Sequence, residues 1–120
     1  MSNLLIELNK AGVSPWLDNL KREMFADGSL AKLIAEGGVR GQTSNPSIFQ
    51  SSISKSSIYD EEILRLAKLG MEAEPIVWEL MTEDVRSACD VFKGLFETSG
   101  GTDGFVSLEL NPTLAHETEA

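Results

Sequence analysis

Two carboxylates, an amide and a hydroxyl stand out, because the residue pattern around each puts it on one face of an extended run. Between 105 and 110, Val106, Leu108 and Leu110 point one way, while Ser107, Glu109 and Asn111 point the other. The apolar face suits packing on helices, so the opposite face carries Glu109 into the interior. An unpaired buried carboxylate is strongly unfavourable and needs partners or a job. Ser14, Trp16 and Asp18 share a face of an earlier run; Val39, Gly41, Thr43 and Asn45 share one of another. Asp18, Asn45 and Glu109 then lie at or near the C-terminal ends of predicted strands. In parallel α/β barrels that end holds the active site. The competing reading makes Asp18 and Asn45 helix caps and Glu109 an exposed edge residue.

Two other reactive side chains read as bystanders. The lone histidine, His116, has no His or Cys nearby and reads as a solvated helix residue, so no metal site is expected. The single cysteine, Cys89, falls on the stripe Val85, Ala88, Cys89, Phe92, Phe96 and reads as core. One cysteine allows neither an internal disulfide nor a cysteine zinc cluster, which fits a reducing cytoplasm.

The elements that must position these residues follow from periodicity. A short helix is expected over 2–10, and extended runs over 14–18, 39–45 and 105–110. Ser29 is expected to cap a helix through Leu30, Leu33 and Ile34 that Gly37 and Gly38 end. Asn45 followed by Pro46 is a cap-and-first-turn start, with Ile48, Phe49 and Ile53 on that helix. The polar run 51–57 reads as loop. Ser57 and Asp60 resemble a capping box opening a helix that Gly70 closes. A short helix is expected over 74–81. Thr82 is expected to cap a longer one to about Thr98, and a last helix to begin over 116–120. Trp78, with Ile76, Val77 and Leu80, reads as core.

Strands separated by helices imply parallel pairing through right-handed crossovers. The predicted class is therefore α/β: about three parallel strands with crossover helices, in spatial order one, two, three. Residues 1–120 form a single partial domain in this reading. The chain has 120 residues, short of the ~250 of an eight-fold barrel.

Composition narrows the partners. Hydrophobic residues make up 42% and charged residues 24%, an ordinary globular balance. The net charge of −9 argues against nucleic acid and anionic membranes. It does not oppose a phosphorylated small molecule in a local cationic pocket. No run is apolar enough to span a bilayer.

Gly41-Gln42-Thr43-Ser44-Asn45-Pro46-Ser47-Ile48-Phe49 resembles the transaldolase signature around the second barrel strand. That signature reads Gly, an aliphatic residue, Thr, Ser or Thr, then Asn-Pro and a short apolar pair. Ser14-Pro15-Trp16-Leu17-Asp18 resembles the first strand of bacterial transaldolases, and Val106-Ser107-Leu108-Glu109-Leu110 the third. Leu114, Ala115, Thr118, Glu119 and Ala120, and Asp84-Val85-Arg86 with Ala88, Cys89 and Asp90, also fit. The resemblance implies the N-terminal part of a TIM (β/α)8 barrel. The activity it implies is transfer of a dihydroxyacetone unit from sedoheptulose 7-phosphate to glyceraldehyde 3-phosphate. This proceeds through a lysine Schiff base, without cofactor, in the pentose phosphate pathway.

By the same resemblance, Asp18 is the acid/base group of carbon–carbon cleavage and Glu109 acts through a water on the imine. Asn45, with Thr43 beside it, binds substrate. The family's imine-forming lysine lies on the fourth strand, which is expected to follow these residues. None of Lys10, Lys21, Lys32, Lys55, Lys68 and Lys93 falls on an inward strand face. The phosphate ligands come from later strands, so the rest of the barrel is an expected partner. Gln42 stands where an aliphatic residue is usual and points toward the helices. Some related proteins fuse this barrel to a glucose-6-phosphate isomerase domain, so the resemblance allows a bifunctional parent. The alternative is a non-catalytic half-barrel serving as an interaction or assembly module.

Overall fold

A computed structural model describes residues 3–119. Strands β1 (Trp16–Leu17), β2 (Gly41–Thr43) and β3 (Phe105–Ser107) form one parallel sheet in the order β1-β2-β3. This is the predicted class, direction and order, with each strand shorter than its extended run. Trp16 stands opposite Gly41, and Gly41 opposite Phe105; Leu17, Gln42 and Val106 form the next row. Leu17 and Val106 pack into a core with Leu20, Leu30, Val39, Ala88 and Phe92. The other face is uncovered, with Trp16 and Phe105 44% and 46% exposed. Val39, expected on that face, is buried with the helices instead. It precedes the short strand, so strand alternation does not govern it.

Gly41 is required where it stands. A Cβ there would lie 2.3 Å from Trp16 Cε2, so the Trp16 ring lies across the strand's own backbone.

The helices are α1 (Leu4–Lys10), α2 (Glu23–Ala26), α3 (Ser29–Ala35), α4 (Pro46–Lys55), α5 (Asp60–Lys68) and α6 (Ala73–Thr98). Asn45 caps α4 and Pro46 opens it, as expected. Gly70, at φ +84°, ends α5 as expected; Met71 N–H returns to Leu66 O at 3.3 Å.

Several expectations are corrected. The cap of α3 is not Ser29: Asp27 Oδ1 accepts the Ser29 N–H at 2.8 Å, and Gly28 makes the turn at φ +72°. Residues 51–55 are helical rather than loop. Ser52 and Ser54 turn their hydroxyls onto the carbonyls of Ile48 and Gln50, at 3.0 and 2.9 Å, which hides their polarity inside the helix. The next cap is Ser56, accepting from Ile58 N–H, and a 3₁₀ turn over Ser57–Tyr59 precedes α5. The expected helices either side of Thr82 are one continuous α6. Cys89 is exposed, not core. The buried line of α6 runs Ile76, Leu80, Met81, Asp84, Ala88, Phe92 and passes beside it. Beyond Asn111 the chain makes a 3₁₀ turn, Pro112–Leu114, and further turns rather than beginning a helix at His116. Asn111 caps that turn by accepting from Thr113 N–H at 3.0 Å. Ser2 and Ala120, at the outer ends of two expected helices, lie outside the described residues.

Candidate active site

The C-terminal end of the sheet is organised by four consecutive residues of β2 and its exit. Thr43 Oγ1 donates to Asp18 Oδ1 at 2.5 Å. Asn45 Nδ2 donates to Asp18 Oδ2 at 3.5 Å. One residue back, Gln42 is fully buried on the helix side, and its amide donates to Asn19 O at 2.6 Å. One residue forward of Thr43, Ser44 Oγ accepts the Glu109 backbone N–H at 2.9 Å. Alternation along the strand makes this possible: Thr43 and Asn45 face inward to the carboxylate, while Gln42 and Ser44 face outward.

Asn45 therefore does two things. Its Oδ1 accepts from Ser47 and Ile48 N–H at 3.1 and 3.3 Å, capping α4, while its Nδ2 faces Asp18. The cap fixes the amide rotamer, so the donor end is directed at the carboxylate. Reading Asn45 as a helix cap and reading it as a site residue turn out to be compatible. Asp18 is not a cap: it follows β1 directly, is exposed, and takes a firm bond from Thr43 and a long contact from Asn45. Glu109 lies two residues past β3 and is exposed rather than buried. The strand ends at Ser107, so the inward direction expected of Glu109 is not imposed by the pleat. All six lysines sit on helices or loops. His116 is exposed.

The sequence that builds this site has relatives. The sequence profile of the Transaldolase/Fructose-6-phosphate aldolase family matches residues 15–120. A transaldolase of Frankia alni is 48% identical over 119 residues, 99% of this chain and 32% of its own length. One of Renibacterium salmoninarum is 49% identical over 113 residues, 94% of this chain and 30% of its own. The chain belongs to the transaldolase/fructose-6-phosphate aldolase family. It spans about a third of the length of these curated relatives.

A second cluster in this transaldolase-family chain was not visible to sequence reasoning. Asp84, 1% exposed, accepts from Arg22 Nε and from Tyr59 OH, both at 2.7 Å. Arg22 also pairs with Glu62, and its guanidinium lies 4.5 Å from the centre of the Tyr59 ring. Burial raises the Asp84 carboxyl above its ordinary value, against the pull of the Tyr59 and Arg22 hydrogen bonds. Burial raises the Tyr59 phenol too, and its bond to Asp84 adds to this. The available signal was Asp84 on the buried line of α6, between Met81 and Ala88. The network ties the loop after Asp18 to α6. At the opposite end of the sheet, Arg40 N–H reaches Pro15 O and Gly104 N–H reaches Arg40 O, each at 2.8 Å. Those bonds fix the strand starts, the end that serves stability in barrels.

Proposed function

We propose that residues 1–120 form the N-terminal portion of one transaldolase barrel domain and supply one side of its active site. The parent transfers a dihydroxyacetone unit between sugar phosphates through a lysine Schiff base, in the cytoplasmic pentose phosphate pathway. The observation that carries this reading is the Asp18 carboxylate held by Thr43 and Asn45 at the C-terminal end of a parallel sheet. A retro-aldol step needs a base at the departing hydroxyl, and forming or breaking an imine needs proton shuttling near the amine. Asp18 takes the first role and Glu109 the second, through a water. Asn45 offers the substrate a donor already oriented by its capping bonds. Thr43 acts on Asp18 and also borders the substrate. The amine is none of the six lysines here, since they lie on helices and loops. No helix among the described residues is long and apolar enough to cross a membrane. Sugar phosphates are the partners this chemistry calls for.

The test is a chimera in which these residues replace the matching third of a full-length relative. The parent chimera is expected to be active and to fix ketose phosphate on borohydride treatment. Asp18→Asn should still trap the imine but cleave about 10²–10⁴-fold more slowly. Glu109→Gln should slow imine formation and release more than cleavage. A cleavage rate in Asp18→Asn within a few-fold of the parent removes Asp18 from the role of base.

A further inference from the structure

Glu109 needs a fixed direction if it is to serve as that shuttle, and this inference rests on that assignment. Asp18 has one carboxylate oxygen held by Thr43 Oγ1 at 2.5 Å, with Asn45 Nδ2 at 3.5 Å from the other. Glu109 has no comparable grip. Its hydrogen-bonded anchor among the described residues is its own backbone N–H, which Ser44 Oγ accepts at 2.9 Å.

The anchor sits where the sheet stops. The β2–β3 ladder ends with Thr43 opposite Ser107, and Ser44 N–H still reaches Ser107 O at 3.1 Å. Continuing the parallel ladder would send the Glu109 N–H to the backbone of β2. The chain instead turns at Asn45-Pro46 to enter α4. The Ser44 hydroxyl takes over and carries the pairing one rung further, as far as Glu109. Ser44 is 1% exposed and faces the helices, so it cannot touch a substrate on the inner face.

We propose that Ser44 is a positioning residue for Glu109. Its buried hydroxyl extends the sheet by one rung past Ser107 and so fixes the backbone from which the Glu109 side chain projects. A side chain here must present an acceptor near the strand backbone. Serine and threonine do so; alanine, of nearly the same size as serine, does not.

The experiment has two readouts. In the full-length chimera, amide exchange is followed by NMR for Ser44→Ala and Ser44→Thr. The Glu109 amide should exchange faster in Ser44→Ala alone, while Gln42 within the sheet keeps its protection. In the full-length chimera, single-turnover trapping separates imine formation from cleavage. Ser44→Ala should slow imine formation by about tenfold to a hundredfold, the scale of a misplacement of about 1 Å. Cleavage should stay near the parental rate, with KM little changed, and Ser44→Thr should restore the lost step. Ser44→Cys keeps the volume with a weaker acceptor and should fall between. Equal slowing of both steps, or a Ser44→Thr variant that fails to restore imine formation, overturns the positioning role. An active parent whose Ser44→Ala variant forms the imine at the parental rate overturns the positioning role alone. A parent chimera with no activity overturns the proposed function and this role with it.

Discussion

Asp18 is set by its neighbours across the sheet: Thr43 Oγ1 donates to one carboxylate oxygen, and Asn45 Nδ2 stands 3.5 Å from the other. Its place at the C-terminal end of the extended run 14–18, and that of Asn45 at the end of 39–45, were legible because strand ends and an Asn-Pro helix start leave clear marks; the strands themselves stop earlier, at Leu17 and Thr43. The bonds from Thr43 and Asn45 to Asp18 were not legible, because they join residues 25 and 27 positions apart. Thr43 shows the cost of that gap. It was read as a substrate contact, and the structure puts its hydroxyl on Asp18. The two roles separate experimentally. Thr43→Val removes the hydroxyl and keeps the shape. A hydrogen bond to a charged group contributes about 1.5–3 kcal/mol, so cleavage in the chimera should slow by roughly tenfold or more. Imine trapping should persist, and Thr43→Ser should recover the rate. A raised KM with an intact cleavage rate would instead mark Thr43 as a substrate ligand.

At the scale of elements, β2 is where neighbouring residues divide the work. Gln42 and Ser44 hold the backbone two residues past the ends of β1 and β3, at Asn19 and Glu109. Thr43, between them, holds Asp18 itself. Parallel pairing and strand order were legible from the alternation of helix and strand. The single α6 was not: Thr82 reads as a helix cap, yet the buried line from Ile76 to Phe92 runs through it, and tertiary packing decides. Cys89 was misplaced for the same reason, one position off that line. Gly41 is the element's most constrained residue. Gly41→Ala puts a methyl group into the Trp16 ring, and overpacking of this kind costs about 1–3 kcal/mol. Urea unfolding should register that loss, and Trp16→Leu in the same chain should recover most of it. Equal losses in the single and double variants would mean that the ring is not what excludes the methyl.

At the scale of the molecule, the sheet's inner face and outer edges decide behaviour in solution. Trp16 and Phe105 lie open on one face, and β1 and β3 each have an edge that no strand of the described residues pairs. Unpaired edges invite association. The 120-residue chain should therefore self-associate with rising concentration in sedimentation experiments, despite its net charge of −9. Phe105→Lys should weaken that association. A sharp monomeric species at all concentrations would mean the exposed face is not adhesive.

Two apolar cores lie on either side of a polar bridge. One gathers around Phe49, Tyr59 and Leu80, the other around Leu20, Leu30 and Phe92. Asp84, between them on α6, joins Arg22 to Tyr59. Two effects oppose each other there. Burial disfavours the carboxylate, while Arg22 and Tyr59 favour it, and burial is the larger, so the carboxyl is raised above its ordinary 3.8. A group whose folded value exceeds its unfolded one binds its proton more tightly when folded. Its stabilising contribution is therefore complete below the unfolded value and is lost as pH rises through the folded one. Asp84→Asn does not titrate, so comparing it with the parent isolates this group from every other carboxylate in an acidic chain. Unfolding both in urea from about pH 4 to 7 should give a parental advantage that shrinks as pH rises. An advantage that grows with pH would reverse the ranking, making the Arg22 ion pair stronger than the cost of burying Asp84.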